Sequence, residues 1–468
     1  MATEYLSDEF MDIVRACVEK AEKEQMLAWL YDEDRWPSGA AGGLVTRNPG
    51  YRVRKLIFTP EKRTDCVSKE IGIETGKPYF VASYDIVLNE KGELSDYQRI
   101  PGEDDTNGST AKVDNAEKGN AGGDRWYAYV TTNDPNPWFN NQTYADTLNK
   151  EAIDKFIEVT YERYKSAVGD KFGSIVPAIF TDEPQFERKT TLDFATDKTQ
   201  VRLPWTNDVA DTFQREYGFD LLDYLPELIW ELPDQQVSKA RYLYHDHIAE
   251  RFASAFADNC GKWCGENGIL FTGHMMAEET LESQTSMLGE AMRSYRSFQL
   301  PGIDMLCNRV ELTTAKQAQS ASHQYGREGV LSELYGVTNW DFDFRGHKFQ
   351  GDWQAALGIT VRVQHLAWVS MAGEAKRDYP ASISYQSPWY KEYSYVEDHF
   401  ARLNTVLTRG KPVVRVGVIH PVESYWLHWG PKNSTATIRE QLNTNFVNIT
   451  SWLLQGQVDF DFISESLL

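Results

Sequence analysis

The stretch GSIVPAIFTDEPQF, residues 173–186, decides how the rest of the sequence is interpreted. Residues 174–180 form a short apolar run rich in Ile, Val and Phe without helical spacing, which is typical of a fully buried strand. The run ends at Asp182, Glu183 and Pro184. Adjacent carboxylates at the carboxyl end of a buried parallel strand lie where α/β barrels place their catalytic groups. The alternative is that both acids only end the strand and cap the next element.

A second buried run, GVLSELYG at residues 329–336, carries Glu333 near its end. If the two runs are parallel strands of one sheet, Glu183 and Glu333 lie at the same edge of that sheet. Two carboxylates flanking one bond are the usual apparatus of glycoside hydrolysis. The simpler interpretation of Glu333 is a salt-bridged residue at the end of a strand.

Composition limits the classes of partner. The chain has 468 residues and a formal net charge of −21, a field that repels nucleic acids and anionic membranes. Aromatic residues make up 13% of the chain, which is weak support for a sugar ligand because core packing also uses them. The five scattered cysteines, with no apolar run of membrane-spanning length and no signal peptide, favour a reducing, cytoplasmic location.

Strand-like and helical segments alternate along most of the chain, which favours a parallel sheet wrapped by helices. We predict strands near residues 26, 126, 174, 269, 302, 329 and 365 (the last over His365–Met371), and a helical segment over Trp353–Val361. These are seven of the eight strands of a (β/α)8 TIM barrel, so we expect the first strand to precede Met1.

The predicted domains follow from this alternation. The barrel covers residues 1–410 and includes a β-rich insertion with a long exposed loop at residues 51–125. Residues 411–468 restart a strand–helix–strand pattern and predict the beginning of a second, truncated α/β domain.

Several motifs resemble the α-L-rhamnosidases of glycoside hydrolase family 106. They are YLSDEF (5–10), AWLYDEDRWPSGAAGG (28–43), TDEP (181–184), SELYG (332–336) and KRDYP (376–380). The resemblance implies a TIM-barrel catalytic domain, two acidic catalytic residues, inversion at the anomeric carbon and an association with calcium. Residues after Pro412 resemble the amidotransferase-like domain that follows the barrel in clan A enzymes such as family 42 β-galactosidases.

The clan A resemblance implies an acid/base after strand four and a nucleophile after strand seven, which are positions that Glu183 and Glu333 match. One departure is Asp182, where clan A enzymes usually have Asn. We predict Glu183 as the general acid, its pKa raised by Asp182 if the two side chains approach each other, although strand alternation points them apart. Glu333 is predicted as the nucleophile or base.

Further residues at strand ends are predicted to bind the sugar. Asp32 and Glu33 follow the strand near residue 26, and Trp36 is a candidate for stacking on a sugar ring, although WPSG also fits a tight turn. His274 is expected to bond the sugar or to orient Glu333, unless it is satisfied locally. Tyr335 is expected to hydrogen-bond the catalytic carboxylate, unless it is a plain buried aromatic residue.

Four more residues lie on or after the last predicted strand. His365, Lys376, Arg377 and Asp378 are expected to balance the carboxylate charges or to bind an acidic sugar, whereas a surface charge run is the alternative. The remaining predicted substrate contact is Asp182.

No metal site is predicted from local spacing, because His245 and His247 of the HDH motif point to different faces of a helix. Calcium enters only through the family resemblance. The expected partner is a carbohydrate substrate, and the C-terminal domain is a candidate surface for a homo-oligomer. Three alternatives stay open: a β-galactosidase-like retaining enzyme, a non-catalytic carbohydrate-binding barrel, and a metal-dependent hydrolase or lyase.

Overall fold

A computed structural model describes residues 3–101, 123–373 and 379–468. Its strands are β1 Leu30–Tyr31, β2 Arg54–Thr59, β3 Tyr79–Leu88, β4 Leu94–Ile100, β5 Asp124–Thr132, β6 Ala178–Asp182, β7 Val201–Trp205, β8 Leu270–His274, β9 Leu300–Met305, β10 Val330–Leu334, β11 Ile359–Gln364, β12 Gly417–Ile419 and β13 Asp461–Ile463.

The helices are α1 Asp8–Lys23, α2 Lys69–Thr75, α3 Lys150–Val159, α4 Tyr161–Val168, α5 Val209–Tyr217, α6 Lys239–Phe252, α7 Asn259–Glu266, α8 Leu281–Met287, α9 Ala291–Tyr295, α10 Leu312–Gln324, α11 Phe344–Ala356, α12 Ser394–Leu407, α13 Val422–Trp426 and α14 Lys432–Gln455. A π-helical segment, Ala253–Asp258, joins α6 to α7. Among the described residues, no helix is long and apolar enough to cross a membrane.

Six parallel strands form the central sheet in the order β1-β6-β8-β9-β10-β11. The predicted strands near residues 174, 269, 302 and 329 are confirmed as β6, β8, β9 and β10. The register aligns Asp182 with His274 and Glu333 with Asp304. Each pair therefore lies at the same level, close to the carboxyl ends of its strands, and the sheet brings four ionisable side chains to one rim.

The complete barrel is the part of the fold prediction that the structure does not show. Within the described residues, β1 and β11 are the two edges of an open sheet. The sheet curls, because the His274 ring on β8 reaches the Glu333 carboxylate on β10 across the intervening β9. In a flat sheet, strands two positions apart would be separated by about 9.6 Å.

The strand predicted near residue 126 belongs to a different sheet. Residues 124–132 form β5, a member of an antiparallel sheet in the order β4-β3-β5-β2-β7. The assignment to the barrel is wrong because a short buried run looks the same in either kind of sheet. The insertion sheet therefore extends beyond residue 125 and also gains β7, which pairs with β2. Most of the predicted exposed loop, residues 102–122, lies outside the described residues.

The last parallel strand comes earlier than predicted. It is β11, whereas His365–Met371 contains no strand and Trp353–Val361 is only partly helical. Helix α11 ends at Ala356, and Gly358 follows with a φ of 85°, a conformation that glycine adopts without strain. The β-branched residues of ITVRVQ then form the strand. His365 consequently follows directly after the carboxyl end of β11.

The C-terminal segment packs on the helices of the parallel sheet. Strands β12 and β13 pair in parallel. Trp426, Trp429 and Phe462 share one buried cluster with Leu281 of α8 and Met292 of α9. The strand–helix–strand pattern predicted after residue 410 is present, and its apolar face is covered by the rest of the chain. The assignment of residues 411–468 to a separate domain stays a prediction.

Candidate active site

The loop after β1 is held by its own acidic residues. Both oxygens of Glu33 accept backbone N–H groups, five in all, and the donors are Asp34, Gly39, Ala40, Ala41 and Gly42. Glu33 is 2% exposed. Both oxygens are bonded within the loop, so they are not free to bind the sugar that the sequence predicts as a partner of Glu33.

Asp32 is also enclosed. Its carboxylate accepts hydrogen bonds from Ser38 Oγ at 2.5 Å and Tyr161 Oη at 2.9 Å, and the residue is fully buried. Ser38 in turn joins the loop to β6. Its N–H donates to the Asp182 carbonyl at 2.8 Å, and its Oγ accepts from the Asp182 N–H at 2.8 Å. The loop thus lies directly beside the acidic end of β6.

His274 is the centre of the candidate site. Its Nε2 lies 2.8 Å from Glu333 Oε2 and 3.8 Å from Asp182 Oδ1. The second oxygen of Asp182, Oδ2, accepts a hydrogen bond from Tyr31 Oη at 2.5 Å. His365 Nε2 approaches the other oxygen of Glu333, Oε1, at 3.9 Å. The structure therefore brings together residues from β1, β6, β8 and β10 and the residue that follows β11, all far apart in sequence.

Glu183 also faces this cluster, and its backbone explains how. Its φ is 47°, in the left-handed region that non-glycine residues rarely adopt. This conformation interrupts the alternation of a strand, so both Asp182 and Glu183 can face the same rim. One donor atom each from Glu183, His274 and Asp304 lie within 4.8 Å of one another, as do atoms from Asp182, His274 and Glu333.

The pKa values of Glu183 and Glu333 are shifted in opposite directions. Burial raises the pKa of Glu183 to about 7, with Asp182 and Glu333 contributing and His274 opposing. For Glu333, burial also acts to raise the pKa, but the hydrogen bond and the positive charge of His274 outweigh it and lower the pKa below its usual value. Near neutral pH, Glu183 is thus able to hold a proton while Glu333 is ionised.

The charge on His274 is a consequence of the same arrangement. Burial alone would lower the pKa of the imidazole, but the hydrogen bond to Glu333 and the neighbouring Asp304 and Asp182 raise it well above its usual value. His274 is therefore positively charged and provides the counter-charge for the acidic side chains around it.

Asp304, on β9, is not among the site residues that the sequence predicts. Its Oδ1 is buried and has no hydrogen-bond partner among the described residues, and the same is true of His274 Nδ1. Burial raises the pKa of Asp304 well above its usual value, and Glu333 and Glu183 add to this shift. The signal that could have found it is register, because Asp304 pairs with Glu333.

Other predicted site residues lie apart from the cluster. Tyr335 donates to the His347 carbonyl and accepts from Arg362, each at 3.3 Å, so its predicted hydrogen bond to the catalytic carboxylate is wrong. Its φ of 77° marks the turn after β10. Trp36 is 44% exposed at the surface of the loop after β1. Lys376, Arg377 and Asp378 lie outside the described residues.

The cluster fits an oxygen-binding cation such as the calcium that the resemblance implies. Calcium takes six to eight oxygen ligands, mostly from carboxylates, carbonyls and water. Four carboxylates lie here in two groups of two that share His274, and Asp304 Oδ1 is a buried oxygen without a partner in the described part of the chain. Local spacing could not reveal this group, because the chain brings its members together only through the sheet.

Acidic and imidazole groups at the carboxyl rim of a parallel sheet are typical of hydrolases built on α/β folds. The sequence matches the model of glycoside hydrolase family 106, described as alpha-L-rhamnosidase, over residues 128–449. The chain belongs to this family. The matched segment contains Asp182, Glu183, His274, Asp304 and Glu333.

Two solved structures are similar to part of this chain. A rhamnosidase from Novosphingobium sp. PP1Y is 21% identical, with a TM-score of 0.49, and the match covers 63% of this chain and 28% of that one. A GH42 beta-galactosidase from G. stearothermophilus is 12% identical, with a TM-score of 0.48, over 69% of this chain and 50% of that one. This chain thus spans half of these proteins or less. No curated protein matches the sequence significantly.

Proposed function

We propose that the chain carries the catalytic centre of a glycoside hydrolase that removes a terminal α-L-rhamnosyl residue by a two-carboxylate mechanism, and that its curled sheet is part of a (β/α)8 barrel. The observation that carries this proposal is the arrangement of Glu183 and Glu333 around His274. Family membership supplies the substrate class. Two acids with pKa values displaced in opposite directions are the usual setting for an acid and a base.

Glu183 is the general acid. Breaking a glycosidic bond requires a proton on the departing oxygen, and a carboxylic acid can supply it only if it is protonated at the working pH. The pKa of about 7 meets this condition. The proton leaves the Glu183 carboxyl as the bond between the anomeric carbon and the glycosidic oxygen breaks.

Glu333 acts from the other side of the sugar. Its hydrogen bond to the charged His274 keeps it ionised and fixes the orientation of one oxygen. In the inverting route implied by the family, this carboxylate removes a proton from the attacking water. In a retaining route it would attack the anomeric carbon itself. The configuration of the first-formed sugar distinguishes the two routes.

Two groups of side chains could hold a cation here, Asp182, His274 and Glu333 in one and Glu183, His274 and Asp304 in the other. A bound cation would neutralise part of the crowded negative charge and would orient the hydroxyl groups of the sugar. His274 supplies positive charge to Glu333 from within the chain. A cation bound to either group would share a ligand with the acid–base pair, because one group contains Glu333 and the other contains Glu183.

The test is activity of the complete protein on aryl glycosides, including α-L-rhamnosides and β-D-galactosides. We expect hydrolysis of α-L-rhamnosides, with Glu183→Gln and Glu333→Gln each strongly impaired. Glu328→Gln removes an exposed carboxylate just before β10 and is the matched control with unchanged activity. Preferential cleavage of galactosides, or equal activity of all three variants, would contradict the proposal.

A further inference from the structure

We propose that Trp36 and Trp138 form a sugar-binding platform for the leaving-group side of the substrate, so that the preferred substrate is a saccharide rather than a rhamnoside of a small alcohol. This inference rests on the proposed function. Trp138 has no predicted role in the sequence analysis, whereas Trp36 was predicted only as an isolated stacking residue. The geometry points to the two indoles acting together.

The two indole rings form one exposed aromatic surface. Their centroids are 5.8 Å apart with an interplanar angle of 66°. Trp138 Nε1–H donates to the Trp36 carbonyl at 2.6 Å, so this N–H group fixes the pair and the rings remain available. Trp36 is 44% exposed and Trp138 is 41% exposed. Exposed aromatic surface is a feature of ligand-binding surfaces.

The platform is joined to the acidic end of β6. Ser38 exchanges two hydrogen bonds with the backbone of Asp182. Trp36 lies two residues before Ser38, so the Cα atoms of Trp36 and Ser38 are at most about 7.6 Å apart. Tyr144 adds a second link. Its hydroxyl donates to the Ser38 carbonyl at 2.7 Å and accepts from the N–H of Gln185 at 3.3 Å, two residues after Glu183.

The position of Trp36 along the sheet indicates which part of the substrate it would bind. Trp36 belongs to the loop after β1, which neighbours β6 and its general acid, and Trp138 lies in the segment after β5 and is bonded to Trp36. Glu333 lies three strands beyond β6 along the sheet. The general acid protonates the oxygen of the leaving group, so that group lies on the side of Glu183. A ring stacked on Trp36 or Trp138 would therefore belong to the leaving-group sugar.

Polar groups suited to sugar hydroxyls lie beside Trp138. The Arg35 guanidinium lies 5.7 Å from the Trp138 ring centroid and bonds to Asp34 and Asn140. These three residues also line a cavity of about 200 Å³. Apolar rings with a few convergent polar groups are the usual composition of small-molecule sites.

The experiment measures binding and turnover with Trp36→Ala, Trp138→Ala and the control Trp452→Ala, which removes an indole that is 65% exposed on α14. Each change is made in the complete protein and in its Glu183→Gln form. The ligands are L-rhamnose, a rhamnosyl disaccharide and an aryl α-L-rhamnoside. Calorimetry gives the affinities of the Glu183→Gln forms, and initial rates give kcat/KM for the others.

We expect Trp36→Ala and Trp138→Ala each to weaken disaccharide binding about threefold to tenfold, with a matching loss in kcat/KM, because each loses one aromatic stacking contact. Binding of L-rhamnose should not change, and Trp452→Ala should match the unsubstituted protein with every ligand. Equal losses for L-rhamnose and the disaccharide, or no loss for either, would overturn the platform.

The same data separate this inference from the proposed function. If the unsubstituted protein binds the disaccharide through Trp36 and Trp138 but cleaves no rhamnoside, the platform stands and the hydrolase proposal fails. If it cleaves rhamnosides and the tryptophan variants behave like Trp452→Ala, the hydrolase proposal stands and the platform fails.

Discussion

Two regions at the same rim of the sheet contain buried acidic residues, and they differ in how the acidic oxygens are satisfied. In the loop after β1, both oxygens of Glu33 are bound by backbone N–H groups. In the cluster around His274, Asp304 Oδ1 and His274 Nδ1 have no partner among the described residues. A carboxylate whose oxygens are bonded within the fold stabilises the fold, whereas an unpaired oxygen in a cluster of ionisable groups is available for chemistry.

The largest effect should come from the cluster. We expect Glu333→Gln to lower kcat by about 10²- to 10⁴-fold, as for loss of a general base, because the amide cannot accept a proton from water. The thermal unfolding midpoint should not fall. A steady-state assay with a calorimetric scan checks both. A large drop in the unfolding midpoint would identify Glu333 as a structural residue like Glu33.

In the loop after β1 we expect a substitution to lower the stability of the protein. Glu33→Ala removes the acceptor of five backbone N–H groups, and leaving buried donors unpaired costs about 1–3 kcal/mol for each group that water cannot reach. We expect a loss of several kcal/mol in the free energy of unfolding, measured by denaturant titration. Unchanged stability together with a loss of substrate affinity would restore the role in sugar binding that the sequence predicts for Glu33.

His274 is the residue that lowers the pKa of Glu333 in the cluster. His274→Gln retains a hydrogen-bond donor but loses the positive charge. We expect kcat to fall about tenfold, and the acidic limb of the pH–rate profile to move to higher pH, because Glu333 then ionises only at higher pH. A lower kcat with an unmoved acidic limb would show that His274 only positions Glu333.

The pH dependence of the unsubstituted protein is a smaller effect. The pKa of Glu183 is raised to about 7, so the carboxyl is protonated below this pH and loses its proton above it. Activity that depends on the protonated acid should therefore fall as the pH rises through about 7. Glu183→Gln should lose this basic limb. If the basic limb persists in Glu183→Gln, a group other than Glu183 causes it.

The sequence was sufficient to locate the strands that carry the site, because short apolar runs ending in acids or His are distinctive. It placed Glu183, His274 and Glu333 at the ends of β6, β8 and β10, as the structure does. It could not exclude β5 from the parallel sheet, because strand partners are set by long-range pairing.

Two features of the site also depend on more than local pattern. The left-handed backbone of Glu183 is a local conformation that no residue-type preference predicts, since glutamate rarely adopts it. Asp304 is assigned to the site because it is in register with Glu333 and because its Oδ1 has no partner among the described residues. Only the folded structure reveals these two facts. The five hydrogen bonds to Glu33 likewise depend on the path of the loop.

We propose that Glu183 protonates the leaving group while Glu333 acts from the other side of the sugar. The most direct measurement compares Glu183→Gln with the unsubstituted protein on aryl α-L-rhamnosides whose phenol leaving groups differ in acidity. We predict a small loss for acidic phenols, which leave without a proton, and a progressively larger loss for weakly acidic ones. The same loss for every leaving group would contradict the assignment of Glu183 as the general acid.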